Sequence, residues 1–266
     1  MARIDNMTKT IQMIRGKQSL RFLPLLMLAA FLCGCAGLSP ATDPAAEKKA
    51  TAMVEAVRAF NRDISTGKGT GWLTLETLGQ RQRFKIAWAA GTPNRLRLTM
   101  ILSGLLFETI AASGEQVTFV SHTGRHDLHT TVSADPDLDT YIDVPIRLSE
   151  LIAVLLGQVP VRPYDRAWIS QDDPSTVVTS RYFYEPRQKI TTDATGRISR
   201  YRLTDTGGDL IYSITYTAFK RTHGIDLPAD LTLTDGNGRT LRLTLTTMVP
   251  NAQVKESVFR LTASGS

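Results

Sequence analysis

Cysteine is almost absent from this chain of 266 residues. Cys33 and Cys35 are its only two, both near the N-terminus, so no disulfide framework can staple a fold built from later residues. Long apolar runs are scarce as well. The main one, Phe22 to Cys33, falls short of the roughly 20 residues that cross a bilayer as a helix, which excludes a polytopic helical membrane protein. No phosphate-binding glycine loop, nucleophile elbow or HExxH string occurs, so no familiar catalytic constellation is in view and an enzyme is not expected. With 42% hydrophobic and 21% charged residues, the chain nevertheless has the makeup of a folded domain, not of a disordered tail.

What is present begins with an address. Arg3, Lys9, Arg15, Lys17 and Arg21 precede the apolar run, the arrangement of a secretory signal sequence. The run closes in Leu32-Cys33-Gly34-Cys35, which resembles the bacterial lipobox. That resemblance implies that Cys35 becomes the first residue of the mature chain and carries acyl chains such as palmitate. Cleavage by the general signal peptidase and an uncleaved anchor are the alternatives, and Met7 and Met13 are alternative starts. Ala36 stands where an aspartate would signal inner-membrane retention, so the expected place is the periplasmic face of the outer membrane. The expected organisation is a signal peptide over 1–34, a small, polar, lipidated tether over 35–45 and one folded domain over 46–266.

Setting the leader apart changes the charge reading. Its five basic residues and Asp5 carry +4 of the formal +6, leaving +2 for the remaining 232 residues. Nucleic acid is therefore not an expected partner.

The period of the apolar residues then sets the fold class. Ala50, Met53, Val54, Val57, Phe60 and Ile64 keep helical spacing, with Asp43-Pro44 as start and Gly67 as C-terminal cap. From Gly71 the period is two: Phe84, Ile86 and Trp88 alternate with Arg83 and Lys85, Leu96, Leu98 and Met100 alternate with Arg95, Arg97 and Thr99, and about six half-wet antiparallel strands fit between 71 and 132. Ile146 to Leu156 is an apolar helix closed by Gly157. Five more strands are expected near 176–184, 197–203, 210–219, 231–234 and 241–247, the last two joined at Asp235-Gly236-Asn237-Gly238 by an Asn-Gly turn. The expected fold is mainly β with α: a curved antiparallel sheet of about 11 strands, an unclosed β-barrel covered by an N-terminal helix and a helical insertion.

This order of elements behind a lipobox resembles the LolA/LolB lipoprotein-carrier superfamily, over Ala46 to Thr262. The stretches that carry it are Gly71-Trp72-Leu73-Thr74-Leu75, Leu148 to Pro160 and Ser257-Val258-Phe259-Arg260-Leu261. The resemblance implies a half-barrel whose apolar cavity receives acyl chains of lipids or lipoproteins. It further implies a membrane-anchored, LolB-like acceptor role, with a periplasmic carrier protein as partner. Phe84, Ile86, Trp88, Leu96, Leu98, Met100, Val117 and Phe119 are the candidate cavity residues; the alternative is that they form core against the helices. Leu105 and Leu106, in a Ser-Gly hairpin with apolar flanks, are the candidate membrane-contact loop; the alternative is a buried bend. A structural or adaptor lipoprotein that binds an envelope protein is the competing function.

Three polar groupings are weaker signals. His122, His126 and His129 do not share one face of a strand, so no metal is expected there. Asp135, Asp137, Asp139 and Asp143 lack the glycine and glutamate of a calcium loop, since Thr140 and Ile146 stand there. Asp205-Thr206-Gly207 occurs once, inside a glycine turn, and no cofactor is expected.

Overall fold

The computed structural model describes residues 44–142, 144–181, 186–222 and 224–261. The leader, Cys35 and the tether up to residue 43 lie outside the described residues. Helix α1, Pro44–Ala59, opens on a proline whose fixed φ suits a first helical turn and buries Ala50, Val54 and Val57. It ends earlier than the spacing suggested. Asn61 takes the left-handed conformation at φ 56°, and its side-chain amide donates to the carbonyls of Gly157 and Asp226, both at 2.9 Å. Asparagine thus performs the turn expected of Gly67. Gly67 lies instead inside the first strand, where a Cβ would crowd the side chain of Leu156 at 3.0 Å and touch the indole of Trp88.

Two meanders share one sheet. Strands β1 (Thr66–Thr77), β2 (Gln80–Gly91), β3 (Arg95–Leu102), β4 (Leu105–Ser113), β5 (Gln116–Ser121) and β6 (His129–Val132) step outward one way. Strands β7 (Arg166–Ile169), β8 (Thr176–Ser180), β9 (Arg187–Thr192), β10 (Ile198–Thr204), β11 (Leu210–Thr222), β12 (Ile225–Asp235) and β13 (Thr240–Pro250) step back. The order is β6-β5-β4-β3-β2-β1-β13-β12-β11-β10-β9-β8-β7, antiparallel throughout, so β1 and β13 form the central seam and β6 and β7 the two edges. The sheet is curved and does not close into a barrel. The connection between the meanders holds two helices, α2 (Asp139–Ile142) and the strongly apolar α3 (Leu148–Leu155). Helix α3 packs on β2 and α1 lies along β7 and β8, so one continuous core fills the concave side. No helix among the described residues is long and apolar enough to cross a membrane.

The strands exceed the expected number by two, β7 and β9. β7 has only four residues, and β9 turns Gln188 inward, where apolar alternation would demand a hydrophobe. Gln188 is buried because every polar group of its amide is used. Its Oε1 accepts from the Arg162 amide at 2.7 Å and the Tyr201 hydroxyl at 3.1 Å, and its Nε2 donates to Thr179 Oγ1 at 2.9 Å and the Arg162 carbonyl at 3.2 Å.

Three hairpins of the second meander use the same device. Asp193, Asp205 and Asp235 each accept a backbone N–H four residues on with one carboxylate oxygen, and Gly196, Gly208 and Gly238 take the left-handed turn position. The Asp235 turn is therefore a longer loop than an Asn-Gly pair, with Gly238 and not Asn237 at positive φ. Hydroxyl and backbone donors hold the Asp193 carboxyl below its ordinary range, the Thr195 hydroxyl most of all. Asp205-Thr206-Gly207 is explained by this turn chemistry.

Candidate functional site

The register of β1 to β5 sends every second side chain to the concave face. Phe84, Ile86, Trp88, Leu96, Leu98, Met100, Val117 and Phe119 all lie there, none more than 3% exposed, in the core that also holds α3. Towards the ends of β1 to β4 that carry the β1–β2 and β3–β4 hairpins, the core gives way to a cavity of about 530 Å³. This lies within the size range of small-ligand sites. Phe84 and Met100 reach its wall; the other six nominated residues pack away from it. Leu75, Phe107, Leu128 and Tyr141 complete the apolar part, and Gln82, Glu108, Arg125, His126, Asp127, His129 and Thr140 are the polar part.

Aromatic contacts fix this mouth. The Phe84 and Phe107 rings meet with centroids 4.9 Å apart, and the Arg125 guanidinium lies 5.1 Å above Phe107 while pairing with Glu108 at 3.3 Å. Phe107 occupies an irregularity in the β3–β4 register, which re-aims it towards the cavity. Helix α2 is held by Tyr141, stacked flat on Phe119 with His129 beyond it. Burial pushes the Tyr141 phenol above its ordinary pKa.

The three histidines have separate partners. His122 Nε2 meets Thr109 Oγ1 at 2.9 Å, His126 lies 3.8 Å from Glu108, and His129 joins the Tyr141 stack. No group of three metal-ligating side chains is assembled among the described residues. The acidic run is used for local structure: Asp135 accepts the Ser149 amide in the first turn of α3 at 2.8 Å, and Asp139 pairs with Arg239 at 2.8 Å. Asp143 lies outside the described residues.

The hairpin tips carry the unexpected apolar surface. Ser103-Gly104 forms a two-residue turn with φ of 51° and 85°, beyond which Leu105 is 74% and Leu106 50% exposed. Leu78-Gly79 forms a second such turn, with φ of 51° and 78°, and Leu78 is fully exposed. Sequence reasoning passed over Leu78. Its signal was a leucine between two strand-forming runs where a tight turn wants Asn, Asp or Gly. A branched side chain held at positive φ in full solvent is a costly choice, of the kind that accumulates at functional positions. Exposed Leu128, in the β5–β6 loop, lies at the same end, because β1, β3 and β5 run in one direction. Arg81, Arg83 and Arg125 flank these tips, Arg83 lying 4.3 Å over the half-exposed Trp72. The cavity mouth and the apolar tips therefore share one end of the sheet.

This architecture defines a class: an open antiparallel half-barrel with helices over its concave face and a cavity at one end. No protein-family model matches the chain, and no curated protein matches it in sequence. Solved structures do match in shape. A DUF1329-family protein from Desulfovibrio piger superposes with a TM-score of 0.54 at 10% identity, covering 82% of this chain and 98% of that one. A domain assigned to outer-membrane lipoprotein sorting from Vibrio parahaemolyticus gives 0.52 at 10% identity, over 80% and 97%. A LolA-superfamily protein from Nitrosomonas europaea gives 0.50 at 9%, over 80% and 97%. The chain thus shares its fold with these three proteins, one of them of the LolA superfamily; at such identities the fold is what is shared.

Proposed function

We propose that this protein is a lipid-anchored lipoprotein of the outer membrane's periplasmic face that takes acyl chains of lipids or lipoproteins into its concave cavity. In this reading Cys35 supplies the anchor, and a periplasmic carrier protein hands over the cargo, making the chain an acceptor in lipoprotein localisation. It binds and does not catalyse. The observation that carries the reading is the shared end: the mouth of the 530 Å³ cavity opens beside Leu78, Leu105, Leu106 and Leu128. Each methylene withdrawn from water is worth about 0.8 kcal/mol, so a cavity with an apolar wall of Leu75, Phe84, Met100 and Phe107 beside an apolar edge gives a chain a short path between lipid and protein. The Vibrio domain's assignment to lipoprotein sorting agrees with it.

The test is uptake of a fluorescent fatty-acid analogue by the full chain carrying Cys35→Ser. Phe107→Asp, at the half-buried wall, should abolish uptake while circular dichroism stays unchanged. A folded chain without uptake would favour the adaptor reading. For that alternative the edge strand β6 is the natural surface, with Val132 85% exposed.

A further inference from the structure

The opposite, convex face of the sheet holds a second recess, of about 570 Å³. Its floor is made mostly of short side chains, with Lys68 and Arg97 as the long ones. The register sets Val249, Lys68, Ala89 and Arg97 in one row across β13, β1, β2 and β3, and Thr247, Thr70, Ala87 and Thr99 in the next. The outer wall is the C-terminal strap Gln253–Val258, whose 3-10 helix, Glu256–Phe259, lies against β3 and β4 and contributes Val258. The result is a mostly apolar trough between strap and sheet.

Its charges are all of one sign. Lys68, Arg97 and Lys255 line the trough and no carboxylate does. The nearby acid, Glu256, is already engaged by Arg95 at 3.1 Å. Arg97 is half-buried and has no ion-pair or hydrogen-bond partner among the described residues, and desolvation lowers its pKa. A guanidinium withdrawn from water without an acceptor is unfavourable, and its planar fork is matched by a carboxylate.

We propose that this trough is a binding site for a single-chain acyl carboxylate. The carboxylate sits on Arg97 with Lys68 and Lys255 beside it, and the chain runs over Ala87, Ala89 and the valines of β13 and the strap. The volume suits one chain of this kind and not a two-chain lipid. The site lies on the far face of the sheet from the concave cavity and stands independently of it.

The experiment uses the full chain with Cys35→Ser, titrated with radiolabelled palmitate and with methyl palmitate, alongside vesicles of phosphatidylglycerol. The expected result is a palmitate site that the ester does not occupy, weakened about tenfold or more by Arg97→Gln, as loss of a charge-assisted hydrogen bond requires. Phe107→Asp, in the concave cavity, should leave this site untouched, so failure of either cavity is seen separately. Lys68→Gln with Lys255→Gln, both exposed, gives a folded second variant in which the same site weakens, with a thermal melt as control. Measured with Phe107→Asp also present, so that the concave cavity takes no chain, unchanged palmitate binding in both variants or equal binding of acid and ester overturns the proposal. Charge-dependent vesicle binding without a palmitate site overturns it in favour of a membrane headgroup.

Discussion

Arg162 Nε donates to Glu150 Oε1 across 2.6 Å, tying helix α3 to the segment that leads into β7. Burial, the largest single influence, would lower the Arg162 pKa, but the hydrogen bond and the charge of Glu150, joined by Tyr212 and Tyr201, together outweigh it and the pKa is raised. Glu150 Oε2 also accepts the Arg147 amide at the start of α3, and Gln188 grips both backbone groups of Arg162. Glu150→Leu leaves the guanidinium without its carboxylate and should cost about 3–5 kcal/mol in urea unfolding. Adding Arg162→Met should recover most of that. A loss below about 1 kcal/mol in the single variant would show that the pair does not fasten the helix.

Tyr201, Tyr212 and Tyr216 are deeply buried, and desolvation raises all three pKa values. A raised acid pKa means that the folded state keeps the neutral phenol. Stability is then full below the unfolded tyrosine value of about 10 and falls as pH rises past it. Denaturant midpoints should be flat from pH 7 to 9 and drop steeply above about pH 10. The Tyr216 hydroxyl has no hydrogen-bond partner among the described residues, so Tyr216→Phe should match or exceed wild-type stability at pH 7 and make the alkaline drop shallower.

Leu78 offers a separable test of strain and contact. Leu78→Asn provides the Asn-Gly turn that positive φ favours, and should stabilise the chain by about 0.5–1 kcal/mol. The same change should lower its partition onto lipid vesicles. Equal vesicle binding would remove the β1–β2 tip from the proposed membrane-contacting edge.

Leu105→Ser combined with Leu106→Ser should shift unfolding free energy by less than about 1 kcal/mol, because both side chains stand in solvent. Transfer of a bound lipoprotein into liposomes should fall sharply. A destabilisation of several kcal/mol would mean that these leucines are packed, and the membrane contact proposed for them would fall with it.

Cys35→Ala should convert a membrane-fractionating protein into a soluble periplasmic one. Recovery of the variant in the membrane pellet would contradict lipidation at Cys35.

The first meander was legible because Phe84, Ile86, Trp88, Leu96, Leu98 and Met100 fall at every second position, between residues that are charged, polar or small. The second was less so, because its inward positions include Gln188, Tyr201 and Tyr212, whose burial depends on partners far along the chain. The helix end at Asn61 was hidden for the same reason, since its amide is held by Gly157 and Asp226. The nominated lining was found on the concave face, yet alternation alone cannot say where a core stops and a cavity starts. That boundary is set by Phe107, displaced by a register irregularity, and by Tyr141 on a four-residue helix. Neither leaves a periodic trace.

The edge strands β6 and β7 do not pair with each other, so the curve of the sheet is a spring and not a hoop. Widening it breaks no ladder bond; the two meanders need only flex about the β1–β13 seam. What resists is the clasp between the free edges, the connection bearing α2 and α3 with its Glu150–Arg162 fastening. Bore is therefore set by side chains and not by the backbone count of a closed barrel, and a clasp loosened at one ion pair would widen the concave side of an unaltered sheet.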